Sequence, residues 1–303
     1  MADAFDVGIL AEHSRMTAWG PGKVVKVRAP YVWVFFRDAP GRAARQFPAS
    51  LLVRSSCQTD TVLENLPAFI EKDGVQVLPS ERYTLREALD IFHTHAPEGF
   101  NDGGVTKAQK DRERRRGAHE AYERTLGGGQ AEELLAQDSV GELTTRALAV
   151  IALAKTLSSA DAAALNAGLQ DQAAARDYFT ALLAYLADEP AQETFAAYAS
   201  AAGTLPGLAS GPSWPMLTLL PFLAQPARHM LLQPTLTCAA AQRLGFDLPY
   251  ESAPNWKTYD ALRRLGGIYV EALGDEGARD FVDVQLFMAT LVIKTVTPKA
   301  AAA

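Results

Sequence analysis

The amino-terminal fold is decided by Trp19–Val27, which has the sequence Trp-Gly-Pro-Gly-Lys-Val-Val-Lys-Val. Its glycines suit a tight turn, and the residues after the turn alternate between apolar and polar side chains, as a half-buried strand does. Only three residues further on lies Tyr31–Phe36, with the sequence Tyr-Val-Trp-Val-Phe-Phe, which is also typical of a strand. The two segments predict a small, curled β-module.

Proline and glycine divide the rest of this module into short strands. Pro30, Pro40, Gly41 and Pro48 stand at the positions expected of turns in a five-stranded SH3-like barrel. The remainder of the chain has helical periodicity. The predicted fold class is therefore α+β, with a small SH3/Tudor-like β-barrel followed by a larger, mainly α-helical domain. The predicted domains are the barrel at 1–56, a connector with a helix at 57–96, the helical domain at 97–296 and a flexible tail at 297–303.

Helix start signals organise the second part. Thr84 and Glu87 form a capping box that predicts a helix ending near His95. Ser139 and Glu142 repeat this pattern ahead of an apolar-faced helix, and Ser158 or Ser159 is expected to cap the next one. Further helices are expected near 173–187, 191–202, 235–244, 255–273 and 278–294. A buried strand is the alternative for the last of these, because that segment is apolar on most sides.

Composition and charge restrict the class of protein. The 303 residues are 48% hydrophobic and 21% charged, and the start of the chain lacks the pattern of a signal peptide. Two distant cysteines fit a reducing compartment, so a soluble, cytoplasmic protein is expected. The net charge is −6, but residues 1–56 hold eight basic and four acidic side chains, a net +4 that leaves −10 for the rest. A basic module on an acidic body indicates that a partner contacts the module.

The module resembles a known family through a series of positions. They are Phe5, Gly8, His13, Trp19–Val25, Val32, Val34 and Phe36. These residues are similar to the Tudor-like modules of bacterial nucleic-acid machinery, such as the C-terminal domain of UvrD-type helicases. The RNA-polymerase-interacting domain of CarD-type transcription factors is a more distant relative. The resemblance covers about residues 5–52, and the remainder resembles only uncharacterised bacterial proteins, which supply no activity.

This resemblance implies a non-catalytic docking surface. The implied partner is RNA polymerase or a DNA-repair protein, with nucleic acid as a further possible contact of the basic residues. An open sheet edge in the module offers a second route, the addition of a partner strand. The residues expected on the docking face are Trp19, Gly20, Gly22, Lys23, Lys26 and Trp33. The alternative for the two tryptophans is that they fill the barrel interior.

A second basic segment lies between two groups of glycines. Residues 107–116 hold six basic and two acidic side chains and are expected to form a helix. Either this helix carries a solvated face, or its cations contact phosphates without reading sequence. The candidate phosphate contacts are Lys107, Lys110, Arg112, Arg115 and Arg116.

The sequence contains no phosphate loop, dinucleotide fingerprint or nucleophile elbow, so no catalytic residue, metal site or cofactor is predicted. His93 and His95 are two residues apart on a helix and therefore point in different directions, which disfavours a metal site. Asp280 and Asp283 share a helical face and define the alternative function, a metal-dependent nuclease with the barrel as its targeting module. Acids that complement a helix N-terminus explain this pair more simply. A third hypothesis is a protein-binding component of a defence or toxin-related assembly.

Overall fold

The structure is a computed structural model that describes residues 5–57, 59–64, 66, 69–72, 75–78, 82–101, 103–208 and 211–293. Over these residues the protein is α+β, with an antiparallel sheet at the amino-terminal end followed by helices. The strands are β1 (Leu10–His13), β2 (Gly22–Arg28), β3 (Tyr31–Phe36), β4 (Arg45–Pro48), β5 (Leu52–Arg54), β6 (Ile70–Lys72) and β7 (Val75–Val77).

Twelve α-helices lie in the described part of the chain. They are α1 (Thr61–Glu64), α2 (Leu85–His95), α3 (Lys107–Thr125), α4 (Gln130–Ala136), α5 (Val140–Ala154), α6 (Ser159–Gly168), α7 (Gln172–Ala187), α8 (Gln192–Gly203), α9 (Trp214–Ala224), α10 (Pro234–Arg243), α11 (Trp256–Ala272) and α12 (Phe281–Val292).

The first five strands form one sheet in the order β4-β3-β2-β1-β5. Strands β1 to β4 follow one another as a meander, and after a 3-10 turn at Ala49–Leu51 the chain returns so that β5 pairs with β1. A register shift between Val24 and Lys26 marks a β-bulge in β2. The hairpin of β6 and β7 forms a separate two-stranded sheet.

Alternation along the strands gives each face of this sheet its own cluster of buried apolar side chains. On the face that we call the inner face, Val24, Val32, Val34 and Phe36 pack together. On the opposite face, the outer face, Phe35 packs in a second cluster to which the chain after β5 contributes. Both sides of the sheet are therefore partly covered by apolar side chains.

The chain that follows β5 joins the sheet to the helices. In α1, Leu63 is fully buried against the outer face, whereas its neighbour Val62 packs on the helical core. Polar contacts continue the junction: Arg42 of the module pairs with Glu87 of α2 at 3.1 Å. The predicted connector is thus a packed element shared by the two parts of the protein.

The helical part has one continuous hydrophobic core. Its central element is α12, in which ten residues from Phe281 to Leu291 are buried. The strand alternative for this segment is wrong, because the residues make a helix that begins at the N-cap Asp280. Helix α3 packs beside α12 and is the element that carries the charged segment predicted above.

Local signals located most helix starts. Thr84 and Glu87 form the predicted capping box, and Ser158 accepts a hydrogen bond from the backbone N–H of Asp161. Ser139 begins α5 as predicted but makes no side-chain capping bond, so the second capping box is wrong. Helix α9 was not predicted, because its segment contains two prolines, one in the first turn and one inside the helix. The predicted tail at 297–303 lies outside the described residues.

Candidate docking surface

The sheet divides the predicted docking residues between its two faces. Trp33 and Lys26 are cross-strand partners on the outer face, where the Lys26 ammonium lies 5.6 Å from the Trp33 ring centroid. Lys23 is also on this side, because its ammonium donates a hydrogen bond to the Leu63 carbonyl at 3.0 Å. The bulge in β2 explains why two lysines three positions apart share a face.

Trp19 lies on the inner face instead. Its ring contacts the rings of His13, Phe36 and Phe47 at centroid distances of 5.6, 5.4 and 6.1 Å. The Arg45 guanidinium lies over the ring, 4.4 Å from its centroid, in a cation–π contact. The prediction that Trp19 and Trp33 belong to one docking face is therefore wrong, because a sheet separates them.

His13 fixes the loop that leads to Trp19. Its Nδ1 accepts hydrogen bonds from the backbone N–H groups of Arg15 and Met16, each at 3.1 Å. An acceptor at Nδ1 places the ring proton of a neutral histidine on Nε2. This histidine shapes the loop.

The two glycines of the predicted set have structural roles. Gly20 has a φ of +62°, which other residues rarely adopt, and a side chain there would meet Asp38. At Gly22 a Cβ atom would lie 2.6 Å from Val34 and 2.7 Å from Phe36. Both positions need glycine so that β2 can begin against β3.

A continuous patch on the outer face remains open to solvent. Tyr31 is 41% exposed, and by alternation it shares the face of Trp33. Arg28 is exposed and is the cross-strand partner of Tyr31, and so lies beside it on the same face. On the other side of β3, the exposed residues Gln46 and Pro48 pair with Trp33 and Tyr31. We call this set the outer-face patch: Lys26, Arg28, Tyr31, Trp33, Gln46 and Pro48.

Several cations of the module are held by acids of the module and of the chain that follows it. The ion pairs are Lys26 with Glu71, Arg37 with Asp38 and Asp60, and Arg42 with Glu87. Acidic partners of the next segment therefore offset part of the surplus positive charge. Arg28 makes no ion pair or side-chain hydrogen bond with the described residues, so its charge is directed to solvent.

Strands β4 and β5 form the two edges of the sheet, and the β4 edge is partly occupied. Ahead of β4, the Ala44 N–H donates to the Gln76 carbonyl and the Leu78 N–H donates to the Arg42 carbonyl, each at 2.8 Å. The end of β4 carries Pro48, which has no N–H to offer. Strand addition at the β4 edge is therefore restricted to a short segment.

The charged helix α3 turns most of its predicted phosphate contacts inward. Arg112 is 1% and Arg115 is 5% exposed, so the expectation that they form a solvent-facing row is wrong. Arg116 is bound to carboxylates and is only partly exposed. Lys107 and Lys110 do face solvent, so their contact with phosphate stays a prediction.

The carboxylates of the nuclease alternative are the partners of these arginines. Asp283 is fully buried and receives the Arg112 Nε–H at 2.7 Å and an Arg116 Nη2–H at 2.9 Å. Asp280 caps α12 by accepting from the Val282 N–H at 2.9 Å and is also bound by Arg116. Nowhere in the described residues do three or more His, Cys, Asp or Glu side chains come together as metal ligands. The pair joins α3 to α12, and its oxygens are occupied by the protein's own donors.

His93 and His95 also have separate environments. His93 Nε2 lies 3.2 Å from Glu276, whereas the buried Nε2 of His95 has no partner among the described residues. The expectation that the two histidines point in different directions agrees with this placement.

The patch includes four residues that the predicted docking set lacks, which are Arg28, Tyr31, Gln46 and Pro48. The signal was present, because Tyr31 is two positions before Trp33 in a strand and so shares its face. Arg28 follows once the β2–β3 turn is known, since the pairing places it opposite Tyr31.

Comparison with protein families, with curated proteins and with solved structures finds no match for this chain. The family resemblance of the module accordingly stays a prediction. Within the part of the chain that the structure describes, no helix is long and apolar enough to cross a bilayer.

Proposed function

We propose that this chain is a non-catalytic interaction protein that docks on the transcription or DNA-repair machinery through the outer-face patch. The proposed partner is RNA polymerase or a DNA-repair protein in the cytoplasm. We further propose that the sheet has the SH3/Tudor-like barrel architecture, which is supported by the return of β5 to pair with β1.

The observation that carries the proposal is the exposed aromatic and cationic composition of the outer-face patch. Tyrosine, tryptophan and arginine are the residue types most enriched among those that dominate protein–protein binding energy. Tyr31 and Arg28 are exposed side by side, and the stacked pair of Trp33 and Lys26 continues the surface. Such a surface suits a partner that offers an apolar pocket and acidic groups.

Direct contact with nucleic acid is a smaller part of the proposal. Three of the five candidate phosphate contacts on α3 face inward or are bound to carboxylates. Lys107 and Lys110 remain exposed on the first turns of the helix. We expect these two lysines, with Arg28, to supply phosphate contacts, and few contacts imply a shallow dependence on salt.

The test uses the full chain and a double variant, Arg28→Glu with Tyr31→Ala. Neither side chain makes an ion pair or a side-chain hydrogen bond with described residues, so the substitutions change the surface and leave the fold intact. Binding to purified bacterial RNA polymerase and to single-stranded DNA is measured by biolayer interferometry. We expect the double variant to lose at least about tenfold in affinity for the polymerase, or about 1.4 kcal/mol.

Arg15→Glu is the matched control, because it makes the same charge reversal on the exposed loop before Trp19. We expect its affinity to stay within about twofold of the wild type, well below one hot-spot contribution. Equal binding by the double variant and the wild type would remove the outer-face patch from the proposal. Failure of the wild type to bind the polymerase or any purified repair protein tested would remove the proposed function.

A further inference from the structure

Arg115 of α3 is buried without a carboxylate partner. It is 5% exposed, and its Nη2–H donates to the side-chain oxygen of Gln233 at 3.0 Å. Its Nε–H has no acceptor among the described residues. Asp111, one helical turn earlier, is bound to Arg114 at 2.8 Å. A buried guanidinium in this condition has lost its hydration without gaining a counter-ion, which is a costly arrangement.

Burial lowers the pKa of Arg115 to about 10, and the charge of Asp111, one helical turn earlier, opposes this only in part. The direction differs at Arg116, whose pKa is raised, because the carboxylates of Asp280 and Asp283 outweigh its burial. The comparison shows what Arg115 lacks: an anion at hydrogen-bonding distance.

The N-terminus of α10 lies at the same place. Gln233 is its N-cap residue, but the Gln233 side chain accepts from Arg115 and makes no capping bond to the helix. Pro234 occupies the first turn, and the backbone N–H groups of Thr235 and Leu236 have no acceptor in the described part of the chain. Thr235 is exposed, so this end of the helix can be reached from solvent. Free N–H groups and the helix dipole make such an end electropositive.

We propose that Arg115 and the N-terminus of α10 form a binding site for a small oxyanion of the phosphate type. Gln233 is both the acceptor for the Arg115 guanidinium and the N-cap residue of α10, so the cation and the helix end flank the same residue. Together they can offer three or more donors to one tetrahedral group. The site is independent of the outer-face patch, because it lies between α3 and α10 in the helical part.

The decisive variant is Gln233→Glu, which places a carboxylate where the amide oxygen now meets Arg115. This internal anion supplies the missing charge and also suits the N-terminus of α10. Thermal unfolding of the full chain is followed with increasing inorganic phosphate, at ionic strength held constant with sodium chloride. The wild-type melting temperature is expected to rise with phosphate concentration, as for any ligand that binds the native state.

Gln233→Glu is expected to melt higher than the wild type without phosphate and to lose at least about tenfold in apparent phosphate affinity. Arg115→Met is a second variant that removes the cation, and Lys110→Met is the control on an exposed position of the same helix. A wild type that does not respond to phosphate overturns the proposal, and so does a Gln233→Glu variant that responds equally.

The source of the oxyanion is distinguished with short oligonucleotides that carry or lack a 5′-phosphate. Stabilisation by the phosphorylated oligonucleotide alone identifies a terminal nucleic-acid phosphate as the ligand. Stabilisation by inorganic phosphate without an effect of either oligonucleotide identifies a free oxyanion. Either result supports the site when the stabilisation is lost in Arg115→Met and in Gln233→Glu, and overturns it when the stabilisation persists in both variants.

Discussion

Replacement of Asp283 by asparagine tests whether this carboxylate holds the fold or binds a metal. Asp283 is fully buried and accepts from Arg112 at 2.7 Å, from Arg116 at 2.9 Å and from the backbone N–H of Arg279 at 2.8 Å. Removing the negative charge leaves two guanidinium groups with less compensation inside the protein. Loss of one partner of a buried ion pair costs about 3–5 kcal/mol.

That cost is a large share of the whole stability of a domain, which is about 5–15 kcal/mol. For domains of roughly 150–250 residues each kcal/mol shifts the melting temperature by about 2–4 °C, so a decrease of about 6–20 °C is expected. The assay is urea denaturation at pH 7 followed by circular dichroism at 222 nm, together with a thermal scan.

Glu142→Gln is the control, because Glu142 forms an exposed ion pair with Arg146 on α5. Such surface pairs contribute about 0–1 kcal/mol, so this variant is expected to unfold close to the wild type. The reasoning fails if Asp283→Asn is within about 1 kcal/mol of the wild type, the scale of an ordinary surface substitution. Mg²⁺-dependent plasmid nicking that is lost in an equally stable Asp283→Asn protein would restore the nuclease alternative.

Three other outcomes follow from particular contacts. Gly22→Ala should destabilise the protein, because the added Cβ would lie within 3.0 Å of three atoms. Gly117→Ala on α3 meets nothing within 4 Å and should stabilise the protein by about 0.5–1 kcal/mol. Urea midpoints of the two variants that do not move in opposite directions contradict this reasoning. Burial, with Arg263 and Arg228, lowers the pKa of His229 from 6.5 to about 3, so the unfolded chain binds more protons between these values. Stability should therefore fall by about 1.4 kcal/mol per pH unit as the pH drops from 6 to 4, and a His229→Gln protein, compared at each pH, should lack this component. A fragment of residues 1–56 should lack well-dispersed NMR signals, because it omits the apolar side chains after β5 that pack on the outer face. A fragment of residues 1–78 includes these side chains and should give well-dispersed signals. A native spectrum from the shorter fragment would show that this packing is dispensable for folding of the module.

Most of the secondary structure could be predicted from the sequence, because its signals are local. The β-branched and aromatic residues of Tyr31–Phe36 and the capping box at Thr84 are local signals within a few positions, so both were visible without tertiary information. Helix α9 was not, because Pro221 inside the segment disfavours a helix locally while the surrounding core stabilises one.

The candidate docking surface was harder to predict from the sequence, because its geometry depends on which face of each strand and helix is buried. The arginine row of α3 has the spacing of an exposed cationic stripe, and only the position of Asp283, far along the chain, shows that Arg112 and Arg116 face inward. In β2, simple alternation places Lys23 and Lys26 on opposite faces, and the bulge between them reverses this result. A β-bulge is a local irregularity that cannot be predicted from residue composition.

The adjacent residues Val62 and Leu63 are anchored in different hydrophobic clusters, one helical and one belonging to the sheet. Because the two residues are adjacent, loss of the packing of one side chain should also disturb the packing of the other. Heat or denaturant should therefore unfold the sheet module and the helical part in one cooperative step. A partner that binds the module should also increase protection from amide hydrogen exchange as far away as α11, which α1 contacts.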